Sequence, residues 1–441
     1  MAVQQPNASP PEKPAPSAKP QKPAGPAPSN EDSGVSESPD EPAEPEDGTT
    51  LSDRAREEES ASLDSEGEIT EDGDVVLTGP DGEPLELGEA GDGMDVSVAG
   101  PYFTASGPNS AIVGTIGENG EVRWTRIPGT EGLAGEGERV VTSINEQGQL
   151  VVAGPNGVVL AEVRDGRVVT LPHDPIVLGG SQGDGGVDAA INEQGQFVVA
   201  GPDGAVVGQI GPDGAAYEEL HDLGVWSDGQ GVAVDINESG QFLVAGNEGV
   251  QFGQISPSGN VYANPPVRDI DVGTHYSPVG AALNDRGQFV VAGDTGVVVG
   301  QMDQHRPEWS SPLEGDWDPR LTQGAGGRVG VAINESGVFV AVGNDGVVSG
   351  TVQGQEVEWI QEPGVPDFGG DGSSVAVSLE GDRLAVAGED LATTGHLFGT
   401  MPIFEPDVEL RPGSGTPGAG MDEGNFAVAG SGGVLVGQRS R

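Results

Sequence analysis

The stretch Ile191 to Ile210, INEQGQFVVAGPDGAVVGQI, decides how this chain folds. Its apolar runs are short, rich in β-branched residues and bounded by turn formers, and no i, i+3, i+4, i+7 apolar pattern long enough for a helix runs through it. In NEQG, Asn stands first and Gly fourth, where a type I turn followed by a left-handed residue wants them. In GPDG, Pro fixes φ near −65° and Gly supplies positive φ. With its flanks, the stretch predicts four strands: a (Val187 to Ile191), b (Gln196 to Ala200), c (Ala205 to Ile210) and d (Ala215 to Leu220). Three short turns between them make an antiparallel meander.

The same text recurs along the chain. Copies begin at Ile144, Ile236, Leu283 and Ile333, and weaker ones end at Ile116, at Met401 and at the C-terminus. The Gly closing each VVAG-like run gives the register: Gly107, Gly154, Gly201, Gly246, Gly293, Gly343, Gly388 and Gly430, spaced 47, 47, 45, 47, 50, 45 and 42 residues apart. One meander of about 47 residues cannot cover both of its faces, whereas stacked copies can, and a period near 45 with four strands per unit is that of a β-propeller. The last copy stops after strand c, and Asp74 to Gly88 (DVVLTGPDGEPLELG) aligns with the c, turn and d portion of a full copy. The expected fold is therefore all-β: an eight-bladed propeller over residues 69 to 441. Residues 69 to 88 supply closing strands, with Glu83 to Leu87 expected to pair with the final blade and remove two open sheet edges.

Glycine and proline, 75 and 35 of 441 residues, would suggest disorder if nothing organised them. The period organises the glycines; the prolines concentrate elsewhere. Residues 1 to 68 hold 12 prolines and all three lysines, Lys13, Lys19 and Lys22, with almost no large apolar side chain. Such a segment cannot offset the ~1 to 2 kcal/mol per residue of backbone ordering, so it is expected to be a disordered arm, Pro-rich and then acidic.

The motif INExGQ followed by an apolar strand resembles the HAF-type "extracellular repeat" of bacterial β-propeller-like proteins, in which a similar Asn, acidic, Gly turn precedes an apolar strand. The resemblance implies a repeat scaffold without a common catalytic set.

The net charge of −52 argues against nucleic acid and anionic membrane surfaces as partners and favours cationic ones. The absence of Cys excludes disulfides, thiolate metal sites and Cys nucleophiles. Without lysine after Lys22 the repeats offer no amine for Schiff-base chemistry. No apolar run approaches a membrane span, and MAVQQPNASPPEK lacks the layout of a secretory signal. A cytoplasmic protein is expected, with export by a route not written in the sequence as the alternative.

Two candidate sites follow. Glu146, Glu193, Glu238, Asp285 and Glu335 recur at the a-to-b turn and would ring one mouth of the channel, where a divalent cation such as Ca²⁺ is the possible ligand; the plainer reading is a solvated turn. No other cofactor is expected. The segments joining strand d to the next strand a carry Trp226, His275 with Tyr276, and Trp317, Asp318 and Arg320, a candidate binding face on a rigid scaffold. Five further aromatics, Trp124, Tyr217, Tyr262, Trp309 and Trp359, fall in strand d and read as core. Neither a nucleophile with a base nor a metal-binding His spacing is present. The expected function is a non-catalytic binding or scaffold propeller, monomeric, engaging a protein or polymer through the d-to-a loop face; the alternative is a carbohydrate-binding or carbohydrate-active propeller.

Overall fold

The computed structural model describes strands and most turns from Ser60 to Gln438; among the residues outside that description are 1–59, 179–185, 226–230, 273–277, 303–306, 311–320, 322–326, 363–367 and 406–415. The disordered-arm expectation for residues 1–59 lies outside the described residues. Those that are described form eight antiparallel sheets and no helix, so no helix among them is long and apolar enough to cross a membrane.

Blade 3 shows how one repeat is built. Its strands are a, Asp188–Ile191; b, Gln196–Gly201; c, Gly204–Gly211; and d, Gly214–Leu220, hydrogen-bonded in that order. These match the four expected strands to within a residue or so at each end, because the turn residues fix where each strand stops. Strand a of every blade packs against strand a of the next, and the circle closes where strand a of blade 8, Gly418–Asp422, meets strand a of blade 1, Asp95–Ala99. The protein is an eight-bladed β-propeller.

Ring closure uses the N-terminal segment, but not the strand expected for it. β1 is Ser60–Ser62, β2 is Gly67–Ile69 and β3 is Val75–Leu77. β3 takes the place of strand d in blade 8: Val75 pairs with Val436 and Val76 with Leu435 on strand c, Gly433–Gln438. Of the expected strand Glu83 to Leu87 only Leu85 and Leu87 are described, and neither lies in a strand. Leu85 and Leu87 are instead buried, and Leu87 lies against Gly107 of blade 1. The chain thus runs from the closing strand into an apolar plug. Two further strands fall in the stretch whose composition reads as arm. β2 extends β3 as a fifth strand on blade 8, and β1 pairs with the outermost strand of blade 2, Ser60 opposite Val169, where Leu63 is also buried.

The plug at Leu87 is repeated. Leu133, Leu178, Leu321 and Phe368, all in d-to-a segments, press their carbonyls against the Gly that ends or directly follows strand b of the blade each segment leads into, Gly154, Gly201, Gly343 and Gly388. A Cβ on Gly201 would sit 2.6 Å from the Leu178 carbonyl oxygen, so the residue marking the period is glycine because another chain segment crosses it.

The INExGQ turn joins blades as well as strands. Asn192 accepts the Gln196 amide on its Oδ1 at 2.9 Å and donates from Nδ2 to the Asn237 carbonyl of the next blade at 2.9 Å. Asn145, Asn237 and Asn284 donate in the same way to Asn192, Asn284 and Asn334, at 2.9, 3.0 and 2.9 Å, and Asn425 of blade 8 donates to Gly100 of blade 1 at 2.7 Å. All five side chains are buried, so each donor and acceptor needs a partner, and the neighbouring blade supplies it.

Strand d aromatics divide by register. Trp124 and Tyr217 stand opposite the strand c glycines Gly114 and Gly208, and Trp309 stands opposite Gly300. Trp124 is buried and the other two partly so. Tyr262 corrects the core expectation. It pairs with Gln254, one residue off the glycine, which faces Ala263 instead, and it is 63% exposed. A one-residue slip turns a side chain to the opposite face of a sheet.

Candidate functional site

Two places invite comparison as sites: the rim where the d-to-a segments gather and the axis of the ring. The rim candidates Trp226, His275, Tyr276, Trp317, Asp318 and Arg320 lie outside the described residues. Described residues of those segments include Leu223 and Val225, both buried, shortly before Trp226 in the sequence.

At the a-to-b turns the five recurring carboxylates form a chain of contacts. Glu193 accepts the Glu146 amide at 3.0 Å, Glu238 the Glu193 amide at 3.2 Å, Asp285 the Glu238 amide at 2.8 Å and Glu335 the Asp285 amide at 3.1 Å. Four of the five, Glu193, Glu238, Asp285 and Glu335, therefore each satisfy a turn amide of the preceding blade. Burial, with repulsion from Glu193 and Glu423 added, holds the Glu146 carboxyl above its usual range, and burial raises Glu238. Among the described residues no group of three or more His, Asp or Glu side chains lies placed to hold a metal ion.

The axis holds the concentrated chemistry. A cavity of about 320 Å³ is lined by the strand a residues of the ring. Each strand a is an inner edge, and the amides pointing away from strand b need acceptors. Polar side chains of the preceding blade provide them. Thr142 N–H donates to Asp95 at 2.8 Å, Val234 N–H to Asp188 at 2.9 Å and Leu283 N–H to Asp235 at 2.7 Å, while Ser97, Ser143 and Ser378 accept from Ile144, Ile191 and Met421 at 3.3, 3.2 and 3.1 Å. These side chains occupy two rungs, so acidic and hydroxyl groups at the axis stitch neighbouring blades together.

Two arginines complete the arrangement. Arg139 Nη2 donates to Asp95 at 2.7 Å, and Arg328 of blade 6 contacts Asp188 of blade 3 at 3.3 Å. Asp188 is buried, and desolvation outweighs the nearby Arg139, pushing its carboxyl up to about 7. Asp235 is also pushed up to about 7; desolvation again dominates over the amides of Leu283 and Ile236 that favour its charged form. The surface Asp235 retains faces the cavity, inside the ring. Sequence reading missed all five residues, although charges inside the apolar runs GVDAAI and VAVDI were a signal of buried polar groups.

A carboxyl whose folded value is raised favours the folded state below its unfolded value near 4, and that contribution is lost as pH rises through about 7. Melting temperature is expected to fall between pH 5 and 8, and Asp235→Asn to flatten part of that fall. Identical slopes for the two proteins in calorimetry across that range would contradict the assignment of Asp235.

No family model and no curated protein matches the chain. Similar solved structures include a catalytically inactive virginiamycin B lyase from Staphylococcus aureus with quinupristin, 12% identical over 80% of this chain and 96% of that one with a TM-score of 0.44. Others are the RRP9 WD40 repeats, 14% identical over 68% and 89% with a TM-score of 0.44, and Kluyveromyces lactis Hsv2, 10% identical over 72% and 99% with a TM-score of 0.42. The class assigned here, a closed eight-bladed propeller, rests on this chain's own strand pairing.

Proposed function

We propose that the chain is a non-catalytic binding propeller, a rigid ring that engages a protein or polymer partner across the face where the d-to-a segments gather. One observation carries the reading: the carboxylates at the axis are committed to strand amides, so the acidic groups best placed for chemistry serve to hold blades together. The d-to-a segments support it further. Each described one is pinned by a buried apolar residue, such as Leu178 or Phe368, which anchors a loop at the rim without using its polar residues. A net charge of −52 favours a cationic partner, with attraction that weakens as salt rises. A Ca²⁺ ring at the turns has less to rest on, since four of its five carboxylates already accept amides.

The test is affinity capture of a stoichiometric partner with the full chain, followed by titration with Trp317→Ala/Arg320→Ala. The double variant is expected to weaken binding at least about tenfold, the scale of a modest interface hot spot, while melting as the parent does. Unchanged affinity would refute the loop-face reading.

A further inference from the structure

The seam between blades 1 and 2 departs from the repeat at three positions. On strand b of blade 1, Tyr102–Gly107, Thr104 and Ser106 stand three residues and one residue before the closing glycine; on strand a of blade 2, Val141–Ile144, Thr142 is second. The other seven copies carry Val, Leu or Ala at the first of these positions and Val or Ala at the other two. The polar exceptions therefore fall on the two sides of a single seam. Thr104 and Thr142 are 0% and 3% exposed, and neither Oγ1 has a hydrogen-bond partner among the described residues. A buried hydroxyl left unmatched costs free energy that the Val of neighbouring copies, with the same shape, would avoid.

Strand pairing brings the two hydroxyls to one place. In blade 1, Asp95 pairs with Ser106 and Ser97 with Thr104, and residues paired across a sheet share a face. That face meets blade 2: the Ser106 hydroxyl donates to the Val140 carbonyl at 2.9 Å, and Ser97 accepts the Ile144 amide at 3.3 Å. Thr142 lies midway between Val140 and Ile144, hence between the two pairs, with its own amide donated to Asp95 at 2.8 Å. Its partner across the sheet, Val152, packs into the core shared with Ala111 and Val113 of blade 1, so the Thr142 side chain faces Thr104. Charge at the seam is already balanced, because Arg139 Nη2 donates to Asp95 at 2.7 Å. An anion would meet that carboxylate and a cation that guanidinium; a small neutral molecule that both donates and accepts meets neither objection.

We propose that the seam between blades 1 and 2 is the binding site of one structural water, shared by Thr104 Oγ1 and Thr142 Oγ1. Ser106 is the third partner: its proton is committed to Val140, which leaves its oxygen free to accept a hydrogen bond from the water. About three bonds is the usual complement of a buried water, and such a water joins the blades as a direct hydrogen bond would.

The experiment is a double-mutant cycle in urea on the full chain, with Thr104→Val and Thr142→Val made separately and together. Each single variant is expected to raise the unfolding constant at least about threefold, because it leaves the water a bond short with the other hydroxyl still buried. The double variant removes both hydroxyls and is expected to be at least as stable as either single one. Single variants that unfold no more readily than the parent, as two separately unmatched hydroxyls would require, overturn the proposal. A crystal structure of the parent then distinguishes a shared water from a direct bond between the threonines. Density for an oxygen within about 3.2 Å of both Oγ1 atoms is expected; the two hydroxyls bonded to each other, or no density between them, would overturn it equally.

Discussion

Deleting residues 1–77 is expected to abolish cooperative melting, while deleting residues 1–59 leaves it unchanged. The longer deletion removes β3, and with it the outer strand of blade 8 and both residues paired to strand c, Val75 and Val76. Leu77 is fully buried, and a side chain of its size is worth about 2 to 3 kcal/mol. The loss goes further. Blade 8 is left with an open edge at Gly433–Gln438, and the segment carrying the Leu85 and Leu87 plugs is tethered at one end only. Against a total stability of about 5 to 15 kcal/mol for a native domain, several such losses at one seam are decisive. A deletion of residues 1–66 separates the roles: it removes β1 and the buried Leu63 but keeps closure, so a drop of about 2 kcal/mol is expected. Denaturant melts of the three truncations check the order. A protein lacking 1–77 that melts like the full chain would place the seam elsewhere.

Gly208→Val is the point substitution with the largest expected effect. The strand c glycine lies under the ring of strand b Phe197 and beside strand d Tyr217. A Cβ there would stand 2.7 Å from the Tyr217 Cβ and 2.8 Å from the Phe197 Cζ, with the Ala216 carbonyl closer still. Neither the strand nor a fully buried ring can yield easily, so overpacking of about 3 kcal/mol or more follows. Gly211→Ala serves as the control: its added methyl would meet nothing nearer than the Gly214 carbonyl at 3.6 Å, and a change within about 0.5 kcal/mol is expected. Equal midpoints for the two variants in urea would show that the glycine does not make room for the ring.

Most of the fold is legible in the sequence because it is written in turns. NEQG and GPDG end strands at fixed places, and eight glycines in register count the blades. Closure is harder to read. Val75–Leu77 followed by GPDG looks like strand c and its turn, and Glu83 to Leu87 alternates as a strand would, yet the first is strand d of blade 8 and Leu87, from the second, is the plug of blade 1. Apolar alternation does not say which neighbour a segment meets. Tyr262 fails for a related reason, since its offset from the glycine differs by one residue and only pairing reveals the face. The axial site is the least legible. Asp188 and Asp235 can be seen as charges within strands, but Arg328 meets Asp188 across 140 residues and three blades, a proximity that only ring closure creates.

The central claim is a closed ring sealed by β3, and the absence of native cysteine makes it directly testable. A protein carrying Val75→Cys and Val436→Cys is oxidised, and its crosslink is measured by mass spectrometry after proteolysis. These residues are paired across the seam, so near-complete disulfide formation within one chain and a raised melting temperature are predicted. No crosslink at 75 and 436, with efficient crosslinking of Leu85→Cys to Val436→Cys instead, would contradict the account.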